Sequence, residues 1–289
     1  MNRQDLLQDI RKILGQAGID TAALDARLLL EKTLNIPRED LVIKAELDVS
    51  PCDEKQVRAN ADLRVSGMPI SKIFGEKEFW GHPFKVTLDT LDPRPDSETL
   101  IEAVLNNIPD KSASLSILDI GTGTGCLVIS LLLELKNASG KAVDISQPAL
   151  KVAAHNACAL GVSDRLTLQH QGWNDLDNNE KFDIVISNPP YISTCKRDEL
   201  QKEVREYDPD LALYAGEDGL TAYEEISNIL PDILKSDTGL AAFEIGLDQA
   251  GDVLKIFEKR GIKHGIIHQD LGKRDRCIIF QPAPVLKKT

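Results

Sequence analysis

Asn188-Pro189-Pro190-Tyr191 follows directly on the apolar run Phe182-Asp183-Ile184-Val185-Ile186-Ser187. Two consecutive prolines fix φ and remove two backbone donors, so the carbonyls here are not consumed by a continuing sheet or helix and stay available to accept. The Asn188 side-chain carbonyl joins that set, and Tyr191 brings a flat ring beside it. Such a turn suits a planar amide or amine whose NH2 group has to be held. Taken alone, Asn-Pro is ordinary turn chemistry at the end of a strand, so the rest of the chain decides.

Upstream, Ile117-Leu118-Asp119-Ile120 runs into Gly121-Thr122-Gly123-Thr124-Gly125. This is a strand that breaks into a glycine turn and then a helix, and glycines there permit a tight turn and close approach by a ligand. The spacing is not G-x-G-x-x-G, because Gly125 comes one residue early. Asp119 places a negative charge where a pyrophosphate would be repelled and a sulfonium or ammonium group would be welcome, which favours S-adenosylmethionine over NAD. The next strand, Lys141-Ala142-Val143-Asp144, ends in a carboxylate suited to both ribose hydroxyls. Helix capping is the competing role for Asp144, but Ser146 can fill it. Trp173, after the following strand, offers an indole where an adenine would lie, although a loop tryptophan on its own more often only packs.

The elements that must position these residues follow from periodicity. Residues 4 to 65 carry apolar residues at helical spacing (Leu6, Leu7, Ile10, Ile13 and Leu14, then Leu28, Leu29 and Leu30, then Val57, Leu63 and Val65), which predicts a small helical bundle at 1–66. Gly18-Ile19-Asp20 and Asn35-Ile36-Pro37-Arg38 punctuate it, and Ser50-Pro51 provides a cap and a first-turn proline. Residues 67–92 read as a hairpin linker. In Pro93-Arg94-Pro95-Asp96-Ser97-Glu98, Asp96 or Ser97 is expected to cap the next helix. Capping does not explain Arg94, fixed between two prolines and able to reach a neighbouring site. From 115 onward strand-like runs at 115–120, 141–145, 165–169, 182–187, 239–245, 265–269 and 276–280 alternate with helical stretches near 124–136, 147–159, 219–235 and 248–260. That alternation predicts an α/β fold, a mostly parallel sheet covered on both faces with ligands at the carboxyl ends of its strands. A catalytic domain over 93–289 follows, and the Lys287-Lys288-Thr289 tail is expected to fray.

Composition narrows the partners. The 289 residues include 34 Lys plus Arg against 46 Asp plus Glu, a formal charge of -12, which argues against an electrostatic grip on nucleic acid or an anionic membrane. The five cysteines form no C-x-x-C pair and the five histidines no H-x-x-H or H-E-x-x-H arrangement. Reduced thiols, no metal site and a cytoplasmic, monomeric protein are the expectation. The amino terminus lacks a signal-peptide apolar core, and no run approaches membrane-spanning length.

Set in this order, the motifs resemble a known family, the class I S-adenosylmethionine-dependent N5-glutamine methyltransferases that modify peptide-chain release factors. The resemblance covers nearly the whole chain. It includes Asp25 to Leu30, Phe79-Trp80, Pro93 to Glu98, Asp119 to Gly125, Asp144-Ile145-Ser146, Asn188 to Tyr191, Glu217 to Leu220, Glu244-Ile245-Gly246 with Gln249, and Asp270-Leu271-Gly272 with Arg274. The glycine turn and Asn-Pro-Pro-Tyr are shared with other methyltransferases, so the Pro-Arg-Pro-Asp element and the helical amino-terminal part are the specific signals.

The resemblance implies a class I methyltransferase-like seven-stranded sheet. It implies that Asp119, Gly121, Thr122, Gly123, Thr124, Gly125, Asp144, Trp173 and Asn188 bind S-adenosylmethionine. Asn188, Pro189, Pro190 and Tyr191, with Arg94, would hold the substrate glutamine of a release factor's Gly-Gly-Gln motif, and Asn188, Pro189 and Tyr191 would carry the catalysis. The amino-terminal bundle would dock the protein substrate. Ser97 stands where the family usually has Thr, Asp92 where an apolar residue is usual, and Asp208 where Glu is common. An N6-adenine methyltransferase of DNA or RNA, a ribosomal-protein glutamine methyltransferase and a non-catalytic S-adenosylmethionine-binding module are the competing readings.

Overall fold

In the computed structural model, residues 1–281 are described, and the expected fraying of Lys287 to Thr289 lies outside them. The chain forms two compact units, Met1–Glu76 with Gln201–Tyr207, and Lys77–Leu200 with Asp208 onward.

The first unit is helical, with α1 (Arg3–Gln16), α2 (Ala22–Leu34), α3 (Asp40–Ile43), α4 (Pro51–Val65) and α5 (Ile70–Phe74). Leu6, Ile10 and Leu14 form one stripe of α1 and pack on Ala26, Leu29 and Leu30 of α2 and on Val57 and Ala61 of α4. Ser50 caps α4, its Oγ accepting from Asp53 N at 3.1 Å with Pro51 in the first turn. Asn35 ends α2 in the left-handed region. Ile70, Ile73 and Phe74 pack against the bundle core, so this unit extends to Glu76 rather than stopping at 66.

A short hairpin, β1 (Glu76–Phe79) and β2 (His82–Lys85), starts at the last residue of the first unit's amino-terminal segment and precedes α6 (Glu98–Asn106) in the second. The sheet is built from β3 (Ser116–Ile120), β4 (Ser139–Asp144), β5 (Leu166–His170), β6 (Ile184–Ser187), β7 (Leu240–Glu244), β8 (Gly265–Gln269) and β9 (Asp275–Phe280). Their order is β5-β4-β3-β6-β7-β9-β8, with β9 antiparallel to both its neighbours and the remaining pairs parallel. The helices are α7 (Cys126–Glu134), α8 (Gln147–Ala159), α9 (Lys202–Tyr207), α10 (Asp210–Leu213), α11 (Thr221–Ile233) and α12 (Ala250–Glu258), α9 belonging to the first unit.

Strand residues alternate between two cores, as a period of two requires. Ile117, Ile184, Ile186, Leu240 and Ala242 face α6 and α7, whereas Leu118, Ile120, Val185, Ala241 and Phe243 face α11 and α12. This is the mostly parallel seven-stranded sheet with helices on both faces that the sequence predicts. One expected cap differs. Ser97 precedes α6 without a side-chain capping bond, and Asp96 pairs instead with Arg276 at 3.2 Å. Among the described residues no helix is long and apolar enough to cross a membrane.

Candidate active site

The chain leaves β3 toward β4 on one side and later returns beside β3 on the other as β6, so the crevice between β3 and β6 is a topological switch point, where ligands bind in such sheets. Ile120 pairs with Ser187 and also with Val143. Gly121, Asn188 and Asp144 therefore leave three adjacent strands at one level. Ser187, fully buried, donates from Oγ to Ile120 O at 2.7 Å and ties the two strands together at that edge.

Gly121, Gly123 and Gly125 all have positive φ, at 72°, 55° and 79°. A Cβ on Gly121 or Gly123 would project into open space, while one on Gly125 would lie 2.8 Å from Ile129 Cδ1, so this last glycine serves close packing of α7. Thr122 donates to Asp119 Oδ2 at 2.7 Å, and Gly123 N donates to Asp144 Oδ2 at 2.8 Å. Ser146 N bonds Asp144 Oδ1 at 2.8 Å, while Ser146 Oγ caps α8 by accepting from Ala149 N. Each Asp144 oxygen is thus oriented by a backbone N–H and keeps lone pairs for further donors.

Asp119 is 1% exposed. Burial pushes its carboxyl up to about 7, with the Asp144 charge adding and the Thr122 hydroxyl opposing. It lies beneath the loop and is not part of the cavity wall.

One cavity of about 940 Å³, counting its open mouth, gathers Gly121, Thr122, Gly123, Thr124, Asp144, Trp173, Asn188, Pro190 and Arg94. Across the sheet edge these come in the order Trp173 after β5, Asp144 at the end of β4, the glycine turn after β3 and Asn188 after β6. Trp173 is held by its indole N–H, which donates to Glu225 on α11 at 2.8 Å. Asp119, Gly125, Pro189 and Tyr191 stand behind the wall. The Tyr191 hydroxyl donates to Glu244 Oε1 at 3.2 Å, and its pKa is driven upward, first by burial and then by the Glu244 charge. That hydroxyl is directed to Glu244, and Tyr191 does not line the cavity.

Arg94 lines the cavity and pairs through Nη2 with Asp208 Oδ2 at 2.6 Å. A guanidinium has five N–H donors, so this bond does not exhaust it. Beyond the residues read from sequence, the wall includes Ser97, Cys126 and Ala149, together with Pro209, Leu211 and Ala212. Leu211 is 67% exposed on a four-residue helix, and no periodicity marks it out. Among the described residues no cluster of His, Cys, Asp or Glu is suited to a metal ion.

The wall suits an elongated ligand with a flat base at one end and a diol in the middle. Trp173, Asp144 and the glycine turn supply a ring face, two oriented carboxylate oxygens and uncrowded backbone, in that order.

Residues 5–75 match the family described as PrmC N-terminal domain, and residues 93–205 match methyltransferase small domain. Release factor glutamine methyltransferase of Cereibacter sphaeroides is 40% identical over 278 residues, which is 96% of this chain and 98% of that protein. Bifunctional methyltransferase of Rickettsia typhi is 38% identical over 296 residues, and the chain spans 57% of that longer protein. Among solved structures, the hMettl16 catalytic domain in complex with MAT2A 3'UTR hairpin 6 shares the fold, with a TM-score of 0.56 at 15% identity over 81% of this chain and 83% of that one.

Proposed function

Because the chain belongs to the release factor glutamine methyltransferase family, we propose that it transfers a methyl group from S-adenosylmethionine to the side-chain amide nitrogen of the Gly-Gly-Gln glutamine of a peptide-chain release factor. The observation that carries this reading is the placement of Asn188 and Pro190 in the same cavity wall as the glycine turn, Asp144 and Trp173.

When bound, S-adenosylmethionine supplies an electrophilic methyl group. Trp173 would pack on its adenine, Asp144 would accept from its ribose hydroxyls, and the turn from Gly121 to Gly125 would hold its amino-acid end, with Asp119 beneath supplying negative charge.

An amide nitrogen is a weak nucleophile because its lone pair is delocalised into the carbonyl. Asn188 Oδ1 would accept one amide hydrogen. The carbonyl of Pro189, which does not line the cavity before the substrate is seated, would accept the other once the side chain enters. Together they bias the nitrogen toward pyramidal geometry and direct its lone pair at the methyl donor. Pro190 and Tyr191 keep that turn rigid, and Arg94 presents its remaining N–H groups to the substrate side. Catalysis then rests on positioning and electrostatics. No strong general base is needed: the nitrogen becomes acidic only as the N–C bond forms at the expense of the donor's S–C bond. That exchange would leave a neutral thioether, and the released proton would pass to solvent. The bundle of the first unit docks the release factor.

Incubating the protein with labelled S-adenosylmethionine and a release factor, then sequencing the Gly-Gly-Gln peptide by mass spectrometry, tests this. A methyl group on the glutamine side chain is expected; label on another residue, or none, would overturn it.

A further inference from the structure

Tyr191 is anchored from two sides by residues outside the cavity wall. Gln249 lies at the start of α12, yet its side chain makes no capping bond to that helix. Its Nε2 instead donates to Tyr191 O at 3.0 Å and to Gly219 O at 3.3 Å, and its Oε1 accepts from Gly246 N at 3.0 Å. One amide side chain thus joins the segment after β6, the segment before α11 and the segment after β7.

The surrounding glycines are fitted to this arrangement. A Cβ at Gly246 would lie 2.5 Å from Gln249 Oε1 and 3.0 Å from Tyr191 Cδ2, and one at Gly219 would collide with the Tyr191 carbonyl. On the other side, Glu244 is 1% exposed and accepts from the Tyr191 hydroxyl. Tyr223, also buried, donates to the Glu244 carbonyl at 2.8 Å and fixes the end of β7. Neither Gln249 nor Glu244 lines the cavity.

We infer that Gln249 and Glu244 are positioning residues for methyl transfer, holding Tyr191 by its carbonyl and its hydroxyl so that the acceptors of Asn188 and Pro189 keep a fixed direction toward the substrate amide. The catalytic part of this inference rests on the function proposed above. A proline pair fixes φ but leaves ψ and the exit of the turn to be set from outside. Gln249 sets that exit. An amide donor is required, because a carboxylate at the same place accepts only.

The test uses full-length protein, a release factor and S-adenosylmethionine. Gln249→Ala is expected to lower kcat about tenfold, the size of one lost hydrogen bond, with KM for the release factor and Kd for the cofactor within about twofold. The isosteric Gln249→Glu is expected to show the same loss, and Glu244→Gln, which keeps an acceptor, to retain more kcat than Glu244→Leu.

Amide hydrogen exchange read without substrate separates this inference from the proposed function. In Gln249→Ala, exchange over Ser187 to Ile192 is expected to rise at least about fivefold while β3 and α7 are unchanged. Unaltered exchange there, wild-type kcat in Gln249→Ala, or a parallel loss of cofactor affinity would each overturn the positioning role. Failure of the wild-type protein to methylate a release factor, with the exchange change still seen in Gln249→Ala, would overturn the function and leave the clamp on Tyr191 standing.

Discussion

Under the proposed function, Asn188 and Asp119 would act through opposite properties, one by exposing a dipole and the other by burying a carboxyl group. Asn188 is half-buried in the cavity wall. Replacing it by Ala removes an oriented acceptor and is expected to cost roughly 2.7–4 kcal/mol in the barrier, a loss of about a hundredfold or more in kcat, by analogy with lost preorganised hydrogen bonds. Steady-state kinetics with a release factor checks this, and cofactor affinity measured alongside separates binding from chemistry. Asp119 gives a pH dependence whose sign follows from its shift. Its folded pKa, raised by burial to about 7 from 3.8, means that the folded protein holds a proton which the unfolded chain releases at lower pH. Its stabilising contribution is therefore complete below the unfolded value and is lost as pH rises through about 7. A cationic ligand favours the carboxylate and lowers that pKa again. Binding of S-adenosylmethionine at about pH 6 is thus expected to release a fraction of a proton, and to release none near about pH 8.5 or in Asp119→Asn. Calorimetry in two buffers of different ionisation enthalpy reads this directly. Proton-neutral binding at the lower pH would remove Asp119 from the cofactor's electrostatics.

At the scale of elements, what was legible in the chain was whatever local pattern determines. The strand, glycine turn and helix at 116–134, the carboxylate ending β4 and the proline-terminated β6 could each be read from a short window, because their geometry follows from φ limits and strand period. The stretch from 192 to 216 was not legible. Its helices α9 and α10 span six and four residues, too few for a periodic signal, and long-range pairs hold them. Arg94 with Asp208 is one such pair, and its carboxylate side chain is 2% exposed. The same physics explains Asp96, which sequence pattern placed at a helix cap and which answers instead to Arg276. Arg94→Ala is expected to lower stability by roughly 1–3 kcal/mol, below the full cost of breaking a buried pair because the arginine is partly exposed. Its sharper signature is local, with faster hydrogen exchange over Pro209 to Leu213 and unchanged exchange in β3 and β4. Exchange unaltered in that wall would mean that the pair does not hold it.

At the scale of the molecule, a segment from the middle of the chain belongs to the amino-terminal unit. Arg64 on α4 bonds Asp25 on α2 at 2.7 Å, both nearly buried, and also pairs with Glu203 on α9. Arg64→Met would strip a buried carboxylate of its charged partner, and a loss of roughly 3 kcal/mol is expected, with Thr21 Oγ1 still donating to Asp25. Denaturant unfolding measures it, and α9 should gain exchange together with α2 if Arg64 is what holds it there. Charge acts over the whole surface. The fold is shared with a catalytic domain solved with an RNA hairpin, so architecture does not choose between a protein amide and the exocyclic amine of a base. The net charge of -12 argues against the base, because nucleic-acid binding draws most of its non-specific free energy from phosphates neutralised by Lys and Arg. With labelled duplex DNA or hairpin RNA at low salt, no saturable change in anisotropy is expected at protein concentrations of about 10⁻⁵ M, within the range where basic proteins bind without specificity. Tight binding that weakens steeply with added salt would favour the nucleic-acid substrate, and methyl transfer to the same duplex would establish it over the release-factor glutamine.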